Sequence, residues 1–441
     1  MTPDAGDALA AARARLHRAA PLRARGRLTR VAAHALEAEA AGLRLGDAVE
    51  IRRPGDEPLQ AEVVALREDR AVLVPLGDPR GLAPSAEVVP VGGRAWIRAG
   101  EALRGRILDG LGRPIDGRPP PLDLPRWDVD RPPPPPLSRP RIRAPLPLGV
   151  RVLDALLTAG VGQRLGLFAA AGVGKSTLLG QLVRQARADV AVVGLVGERG
   201  REVREFVDDA LGPEGLARSV LVVATSDAPA MVRARAAHVA TAIAEWFADR
   251  GGSVLLVLDS LTRHARALRE VALAAGEPPA RHGYPASVFG ALPRLLERAG
   301  PRPRGAITSI STVLVAGDDP DEPVADEVRG LLDGHVVLDR ERAAAGVFPA
   351  VNAPASVSRL MAAVAAPEHR RAAARLRALL AAHARGQDLL AVGAYAPGGD
   401  PDLDAYLARR EAIEAFLAQD TAEAAPFGET VRRLVALVEG A

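Results

Sequence analysis

The chain has 441 residues, of which 48% are hydrophobic and 25% are charged, and it contains no cysteine. This composition predicts folded domains and excludes disulfides, iron–sulfur clusters and thiolate zinc sites. The formal net charge of +3 gives little support to a nucleic-acid partner. The sequence has neither an apolar run of about 18 residues nor a secretory signal, so we expect a cytoplasmic protein without a membrane span.

The first part of the chain divides into three segments. Residues 1–25 are rich in Ala and Arg, with Leu9 and Leu16 seven apart, which predicts a partner-docking helix or, alternatively, a frayed terminus. Residues 26–95 contain short β-like runs between turn signals and predict a small β-barrel. Residues 96–148 are rich in proline and predict an extended connector.

Aromatic residues are scarce in these segments. Trp96 and Trp127 are the only two before Phe168. The predicted barrel therefore lacks the aromatic stacking platform that is typical of single-strand nucleic-acid binders.

The second part alternates β-branched apolar runs with helical patterns from residue 149 to 362. The apolar runs lie at 191–197, 220–225, 254–260, 307–315 and 335–339. Continuous apolar strands separated by helices are typical of a parallel sheet covered on both faces, so we expect an α/β nucleotide-binding domain. Residues 363–441 have a 3.6-residue apolar period and predict a helical C-terminal domain.

A glycine-rich turn, AAAGVGKST at residues 169–177, precedes a helical pattern. Backbone N–H groups in such a turn and the N-terminus of the next helix bind phosphate. Lys175 is the only lysine among 57 basic residues, and a compact ammonium fits between phosphate oxygens where a guanidinium does not. A structural turn remains the alternative, because Ala169 replaces the first glycine of the usual pattern. The predicted nucleotide-binding residues are Gly172, Val173, Gly174, Lys175, Ser176 and Thr177.

Acidic residues follow two of the predicted strands. Asp259 ends the run VLLVLDS and is predicted to hold Mg²⁺ with the Ser176 hydroxyl, whereas a simple helix cap is the alternative. Glu198 and Arg199 end another strand, where a carboxylate can orient water for attack on the γ-phosphate and a cation can contact that phosphate. A solvated helix start would give the same pair of residues, so both interpretations stay open.

Two further candidates lie in the segment around residues 348–360. Phe348 is a candidate to stack on adenine, with a core-filling role as the alternative. Arg359 has no acidic residue within one helical turn before it and is a candidate to reach a phosphate, although the local pattern alone favours a surface arginine.

Three stretches carry a family resemblance: GERGREVREF at 197–206, the segment 259–300 that begins DSLTRHARALRE, and the segment 316–340 that begins AGDDPDEPVADE. They resemble the protein-export ATPases of type III secretion, a family that includes the flagellar and injectisome ATPases and is homologous to the catalytic β subunit of rotary ATP synthases. The resemblance extends from about residue 25 to about residue 420. It implies an N-terminal β-barrel, a RecA-like P-loop ATPase domain and a C-terminal helical domain, assembled as a homohexamer.

The resemblance also implies roles for individual residues. Lys175 and Ser176 match the phosphate-loop lysine and the Mg²⁺-binding hydroxyl, and Asp259 matches the acid that closes the second nucleotide-binding strand. Glu198 matches the catalytic glutamate that orients water, and Arg199 matches its phosphate-contacting neighbour.

The last matches include departures from the family pattern. Arg359 matches the arginine finger that enters the neighbouring subunit's site, which reverses the local interpretation of that residue. Phe348 takes the place of a tyrosine that stacks on adenine, and Val347 precedes it where the family has histidine. Asn352 stands where the family generally has Asp, and residues 309–319 replace a more aromatic stretch. These departures predict altered turnover or regulation, with hydrolysis retained.

The implied function is hydrolysis of ATP, with Mg²⁺, by a homohexamer that energises protein export by releasing chaperones and unfolding substrates. The implied partners are a stator-like regulator at the N-terminus, a coiled-coil stalk protein, chaperone–substrate complexes and a membrane export gate, with no nucleic acid. The implied location is cytoplasmic, peripheral to the inner membrane. The sequence does not separate a flagellar from an injectisome system.

Three alternatives stay open at this point. A rotary F- or V-type ATPase subunit is disfavoured by the export-type GEPP and LPRLLERAG stretches, and a hexameric RNA translocase by the aromatic-poor barrel. A ring component that binds nucleotide without hydrolysing it is kept open by Asn352 and the altered stretch 309–316.

Overall fold

The computed structural model describes residues 25–39, 42–91, 95–315 and 322–439. The predicted docking segment, residues 1–25, therefore lies outside the described residues except for Arg25. The chain forms two compact units, one of residues up to 95 with 271–277 and the other of the remaining residues from 96 onward. The α/β fold with an N-terminal barrel and a helical C-terminal domain is confirmed.

Six antiparallel strands close the first unit into a barrel. Leu28, Val49, Val63 and Leu73 point inward and are at most 2% exposed. The residues that alternate with the first three are more open to solvent, as expected for strands with one buried face, whereas Val72 and Val74 beside Leu73 are also buried. Three of the six strands are only four residues long, and two of these, Leu36–Glu39 and Glu87–Pro90, are too short for the sequence pattern to single out. The strands are Gly26–Val31, Leu36–Glu39, Ala48–Ile51, Leu59–Arg67, Arg70–Pro75 and Glu87–Pro90.

A largely parallel sheet forms the centre of the second unit. Its central strands are buried on both faces, which explains their continuous apolar runs. The strand Val357–Ser358 and the short strand Gly300–Pro301 pair antiparallel to their neighbours. The order across the sheet is Val357–Ser358, Gly334–Val337, Arg164–Ala169, Ala306–Leu314, Ser253–Asp259, Val190–Glu198, Ser219–Thr225 and Arg106–Asp109.

The proline-rich segment 96–148 has more structure than the predicted extended connector. Its strand Arg106–Asp109 pairs parallel with Ser219–Thr225 and so forms one edge of the central sheet. The Arg106 guanidinium is buried and lies 2.6 Å from Asp116. A four-residue strand in a proline-rich segment is too short for its sequence pattern to predict strand pairing. Tertiary contacts therefore determine the structure of this segment. Two further strands, Trp96–Arg98 and Arg126–Asp128, pair with each other.

Helices cover both faces of the sheet. Those that precede the C-terminal domain are Arg151–Leu156, Lys175–Gln185, Gly200–Glu205, Gly212–Ala217, Ala230–Ala248, Leu261–Ala274, Ala286–Leu296, Pro323–Leu331, Arg340–Ala344 and Met361–Val364. A π-helical turn, Phe206–Leu211, and three 3-10 turns, Glu101–Leu103, Pro136–Ser138 and Arg281–Gly283, complete these connections.

Four helices form the C-terminal domain: Pro367–Ala391, Pro401–Ala408, Arg410–Leu417 and Phe427–Val438. They share one hydrophobic core with the nucleotide-binding domain. Arg151, which is 2% exposed, donates hydrogen bonds to the carbonyls of Phe416 and Ala418 at the end of a C-terminal helix, where a cation is favoured. Among the helices of the described ranges, none is both long and apolar enough to cross a membrane.

Candidate active site

A glycine-rich turn connects the strand Arg164–Ala169 to the helix Lys175–Gln185. Gly172 and Gly174 adopt the left-handed backbone conformation, with φ angles of 79° and 82°, which favours glycine at both positions. Val173 between them is 3% exposed and belongs to the hydrophobic core. One apolar side chain thus anchors the turn while its neighbouring backbone stays open to solvent.

The first turn of the helix presents three polar side chains. Ser176 and Thr177 are exposed at the helix N-terminus, where free N–H groups and the helix dipole favour an anion. The Lys175 ammonium forms an ion pair with Asp259 Oδ1 and lies 3.5 Å from Glu198 Oε1. The single lysine of the chain therefore lies between two carboxylates at the carboxyl edge of the sheet.

Asp259 ends the strand Ser253–Asp259 and is 2% exposed. The Thr312 hydroxyl, on the adjacent strand, donates a hydrogen bond of 2.6 Å to Asp259 Oδ1. The next helix is capped by Ser260, whose hydroxyl accepts from the backbone N–H of Arg263 at 3.3 Å. Asp259 is thus directed at the lysine instead of the helix cap, and Thr312, which the sequence analysis did not single out, fixes its orientation.

Glu198 ends the strand Val190–Glu198 and is 7% exposed. Arg263 Nη1 lies 2.5 Å from Glu198 Oε2 and donates to the Gly197 carbonyl at 2.7 Å. Burial, reinforced by neighbouring carboxylates, raises the pKa of the Glu198 carboxyl to about 7. A carboxyl group that titrates near neutral pH is suited to proton transfer under ordinary conditions.

Arg263, and not Arg199, is the arginine that contacts Glu198. The Arg199 side chain is 79% exposed and pairs with Glu202 at 3.7 Å, and the residue occupies the N-cap position of the helix Gly200–Glu205. Of the two interpretations left open, the geometry of Arg199 matches the solvated helix start, whereas Glu198 is buried beside the lysine. The sequence signal for Arg263 was its place in the first turn of the helix that follows a strand-ending acid.

Phe348 lies beside the glycine turn and is 42% exposed, so it does not fill the core. A Cβ atom on Gly174 would lie 3.0 Å from the Phe348 ring, which is a second reason for glycine at that position. The Phe348 carbonyl accepts a hydrogen bond of 2.9 Å from the backbone N–H of Gln419 in the C-terminal domain. The ring therefore offers an open aromatic face next to the turn.

Arg359 directly follows the outermost strand of the sheet, Val357–Ser358. Its backbone N–H donates to the Asp333 carbonyl at 3.0 Å, while its side chain is exposed. Within the described ranges, the Arg359 guanidinium has no ion pair. The Arg359 guanidinium, at the unpaired edge of the sheet, is therefore free to contact a second molecule.

Asn352 shapes the turn that leads to this edge strand. Its Nδ2 donates to Asp339 Oδ2, and its Oδ1 accepts from the Ala355 N–H, both at 3.0 Å. An aspartate at this position has no N–H to donate and would place a second carboxylate beside Asp339. The departure at Asn352 is therefore matched to its local hydrogen-bond partner. Of the second altered stretch, residues 309–315 lie in or next to a central strand and residue 316 lies outside the described residues.

The donor set at this edge fits Mg²⁺. The Ser176 hydroxyl and the Asp259 carboxylate supply oxygen atoms, and Mg²⁺ takes few protein oxygens together with water and substrate phosphates. In the described part of the chain, no cluster of three or more His, Cys, Asp or Glu side chains is arranged to hold a metal ion. The arrangement suits a metal ion that binds together with a phosphate ligand.

Three family profiles match successive parts of the chain. The β-barrel domain of the ATP synthase alpha/beta family matches residues 36–92, and the nucleotide-binding domain of the same family matches residues 149–358. The T3SS EscN ATPase C-terminal domain matches residues 365–436. The three profiles follow the order of barrel, sheet domain and C-terminal helices.

Individual relatives match almost the whole chain. The flagellum-specific ATP synthase of Bacillus subtilis (strain 168) is 45% identical over 414 residues, which cover 93% of this chain and 94% of that protein. The type 3 secretion system ATPase of Xanthomonas euvesicatoria is 47% identical over 418 residues, which cover 94% of each chain.

Solved structures agree with these relatives. The assembled ATPase EscN from the type III secretion system of enteropathogenic E. coli has a TM-score of 0.88 at 44% identity, and the match covers 94% of this chain and all of that chain. EscN in complex with its central stalk EscO gives a TM-score of 0.87 at the same identity and coverage. With relatives and solved structures in agreement over more than nine-tenths of its length, this chain belongs to the family of ATPases of type III secretion and flagellar export.

Proposed function

We propose that this chain hydrolyses ATP between neighbouring copies of itself in a homohexameric ring, and that the ring energises protein export through an injectisome or flagellar type III secretion apparatus. The observation that carries the proposal is the meeting of Lys175 with Asp259 and Glu198 at one edge of the sheet. Arg359, exposed on the outermost strand, is the group that a neighbouring copy would receive. ATP is the substrate and Mg²⁺ the cofactor.

Each side chain around Lys175 has a separate role in the proposed reaction. The Lys175 ammonium binds β- and γ-phosphate oxygens in place of the carboxylates that it contacts without nucleotide. Ser176 and Asp259 would hold Mg²⁺, which would supply positive charge to neutralise the phosphates. Glu198 orients the attacking water and accepts its proton, for which a pKa near neutrality is suited. Arg263 keeps that carboxylate in place.

The flanking residues bind the rest of the nucleotide. The exposed Arg199 side chain, held only by a 3.7 Å ion pair, turns from Glu202 to the γ-phosphate. Phe348 stacks on adenine through its open face. The backbone N–H groups that cradle the phosphates belong to Gly172, Val173, Gly174, Lys175, Ser176 and Thr177.

Arg359 acts in the neighbouring subunit as an arginine finger. Such a finger stabilises the charge that develops on the transferred phosphoryl group and typically raises the rate about 10³- to 10⁵-fold. Hydrolysis therefore depends on assembly, because no single subunit combines its own phosphate turn with the finger that serves it.

The remaining parts of the chain contact the export apparatus. By analogy with EscN and its central stalk EscO, we propose that the ring receives a coiled-coil stalk near the C-terminal helices. Residues 1–25 bind a stator-like regulator, and the ring meets chaperone–substrate complexes and the membrane export gate on the cytoplasmic face of the inner membrane, without nucleic acid.

The test is specific ATPase activity as a function of protein concentration, with ring formation followed by light scattering on the same samples. Wild-type activity per subunit is expected to rise steeply as rings appear. Arg359→Ala is expected to assemble and bind nucleotide but to lose most hydrolysis. Arg371→Ala, which removes an exposed arginine of the C-terminal domain, is the matched control. Unchanged turnover in assembled Arg359→Ala rings would rule out the finger, and absence of activity at every wild-type concentration would rule out a self-sufficient ring.

A further inference from the structure

The segment that carries Arg359 pairs with the sheet over a short length. Its strand, Val357–Ser358, forms only two residue pairs with its neighbour. The Ser356 hydroxyl donates to the Asn352 carbonyl at 2.6 Å and accepts from the Val337 N–H at 2.9 Å. The Ser358 hydroxyl donates to the Thr158 carbonyl at 2.9 Å and accepts from Gln163 Nε2 at 3.1 Å. A strand of this length at a sheet edge adds little pairing energy of its own, so side-chain contacts contribute much of what places the arginine.

A further contact comes from the C-terminal helical domain. Arg377, on the helix Pro367–Ala391, donates from Nη2 to the Ser356 carbonyl at 2.8 Å. The side chain is half-buried, and burial lowers the pKa of its guanidinium. Within the described ranges it has no carboxylate partner. Burying part of a guanidinium against a neutral backbone carbonyl costs desolvation energy that a carboxylate partner would offset, so this contact does little to stabilise the helical domain by itself.

The preceding arginine on the same helix behaves differently. Arg375 lies 2.5 Å from Asp402, which belongs to the next helix of the same C-terminal domain, and both side chains are about one-third exposed. Its contact stays inside the helical domain. Arg375 and Arg377 therefore offer a matched pair, in which only the second reaches the segment of Arg359.

We infer that Arg377 is a positioning residue for the arginine finger: it holds the backbone of the finger segment from the C-terminal domain, so that a displacement of this domain changes where Arg359 lies in the neighbouring subunit's active site. The inference rests on the proposed function, because it requires that Arg359 acts across the subunit boundary. The C-terminal domain of one subunit would then affect hydrolysis in the next subunit without any change at the phosphate-binding turn of its own subunit.

The first measurement is the steady-state kinetics of assembled rings. Arg377→Ala is expected to lower kcat about tenfold or more with KM for ATP unchanged, because misplacement of a catalytic group by about 1 Å costs up to about a hundredfold in rate. Arg377→Lys, which keeps a charged donor, is expected to recover part of this loss. Arg375→Ala is expected to leave kcat and KM at wild-type values. A rise in KM with unchanged kcat in Arg377→Ala would overturn the inference.

The second measurement uses mixed rings to separate the two sides of the site. Lys175→Ala subunits have a defective phosphate turn and an intact finger, so mixing them with Arg359→Ala subunits is expected to restore activity above either variant alone. Mixing Lys175→Ala with Arg377→Ala is expected to give the same recovery, because the Lys175→Ala subunits supply a well-held finger. Light scattering confirms assembly of each mixture, and Arg377→Lys replaces the alanine variant if the latter does not assemble.

The two mixtures distinguish the possible failures. If the Arg359→Ala mixture does not recover, the finger does not act across subunits, and both the proposed function and this inference are wrong. If that mixture recovers but the Arg377→Ala mixture does not, Arg377 serves its own nucleotide site or the fold alone, and the inference is wrong while the proposed function stands.

Discussion

Replacement of Arg263 by glutamine is expected to move the pH dependence of hydrolysis upward. On the proposed mechanism, Glu198 must be ionised to accept a proton from water, so kcat/KM is expected to rise with pH through the pKa of this carboxyl, which is about 7. Arg263 favours the ionised carboxylate through its contact of 2.5 Å. Its removal therefore raises the pKa, and the midpoint of the pH profile follows.

The size of the shift follows from the contact. The Coulomb energy of an ion pair near a protein surface reaches about 4 kcal/mol, and one pH unit corresponds to about 1.4 kcal/mol. The Arg263 side chain is 25% exposed, so solvent screening leaves about a third of this attraction. The midpoint is expected to rise by about one pH unit, from about 7 to about 8. Glutamine keeps an N–H donor for the Gly197 carbonyl, which Arg263 also contacts.

The assay is kcat/KM for ATP at saturating Mg²⁺ from about pH 6 to about pH 9, with assembly checked at each pH. Arg266→Gln is the matched control, because this exposed arginine lies one turn along the same helix. Ionisation of ATP itself affects all variants equally and cancels from the comparison. A midpoint in Arg263→Gln that equals that of the control, or that lies below it, would refute the reasoning.

Three further outcomes are expected. Glu198→Gln should be more stable than the wild type at pH 8 by up to about 3 kcal/mol and equally stable near pH 4.5. The stability that the Glu198 carboxyl contributes is complete below its unfolded-state pKa of 4.5 and is lost as the pH rises through its folded-state pKa of about 7. Thermal unfolding of both proteins at the two pH values measures the difference. Phe348→Ala should weaken ATP binding about tenfold in titration calorimetry with little change in unfolding, since the ring is 42% exposed, while Phe348→Tyr should bind normally. Asn352→Asp should lower stability by about 1 kcal/mol at neutral pH, because the substitution removes the N–H donor to Asp339 and places a second carboxylate beside it; urea unfolding of the variant and the wild type measures this.

Some features of the fold and site are local in the sequence and could be predicted from it. The glycine turn, its single lysine and the acids that end two apolar strands each appear as a short pattern with a direct physical cause. Because the carboxyl ends of parallel strands share one edge, the meeting of Lys175, Asp259 and Glu198 follows from the predicted topology alone.

Other features depend on contacts that no local pattern records. The partnership of Arg263 with Glu198 joins residues 65 positions apart, and Arg199 is adjacent to Glu198 in sequence yet directed to solvent. The Thr312 hydroxyl donates to Asp259 on the adjacent strand, but the hydroxyl-rich sequence around Thr312 does not indicate which residue lies opposite it. The edge strand Arg106–Asp109 is too short to be distinguished from the proline-rich chain around it.

The charges at the site explain why a single subunit is insufficient on the proposed arrangement. Lys175 and Arg263 carry two positive charges, and Asp259 and Glu198 carry two negative charges when ionised, so these four side chains cancel. The helix N-terminus adds only about half a positive charge. On the proposed arrangement, the negative charge of the triphosphate would therefore be neutralised by Mg²⁺ and by arginines from outside this group, among them Arg359 of the neighbouring copy.

The same balance separates nucleotide binding from hydrolysis as pH falls. Protonation of Glu198 below about pH 7 removes one negative charge and leaves the site more positive, which favours the bound triphosphate. On the proposed mechanism, protonation also removes the base that accepts the proton of water. Binding should therefore persist at pH values at which turnover has declined, and a parallel loss of both would mean that Glu198 is not the group that titrates.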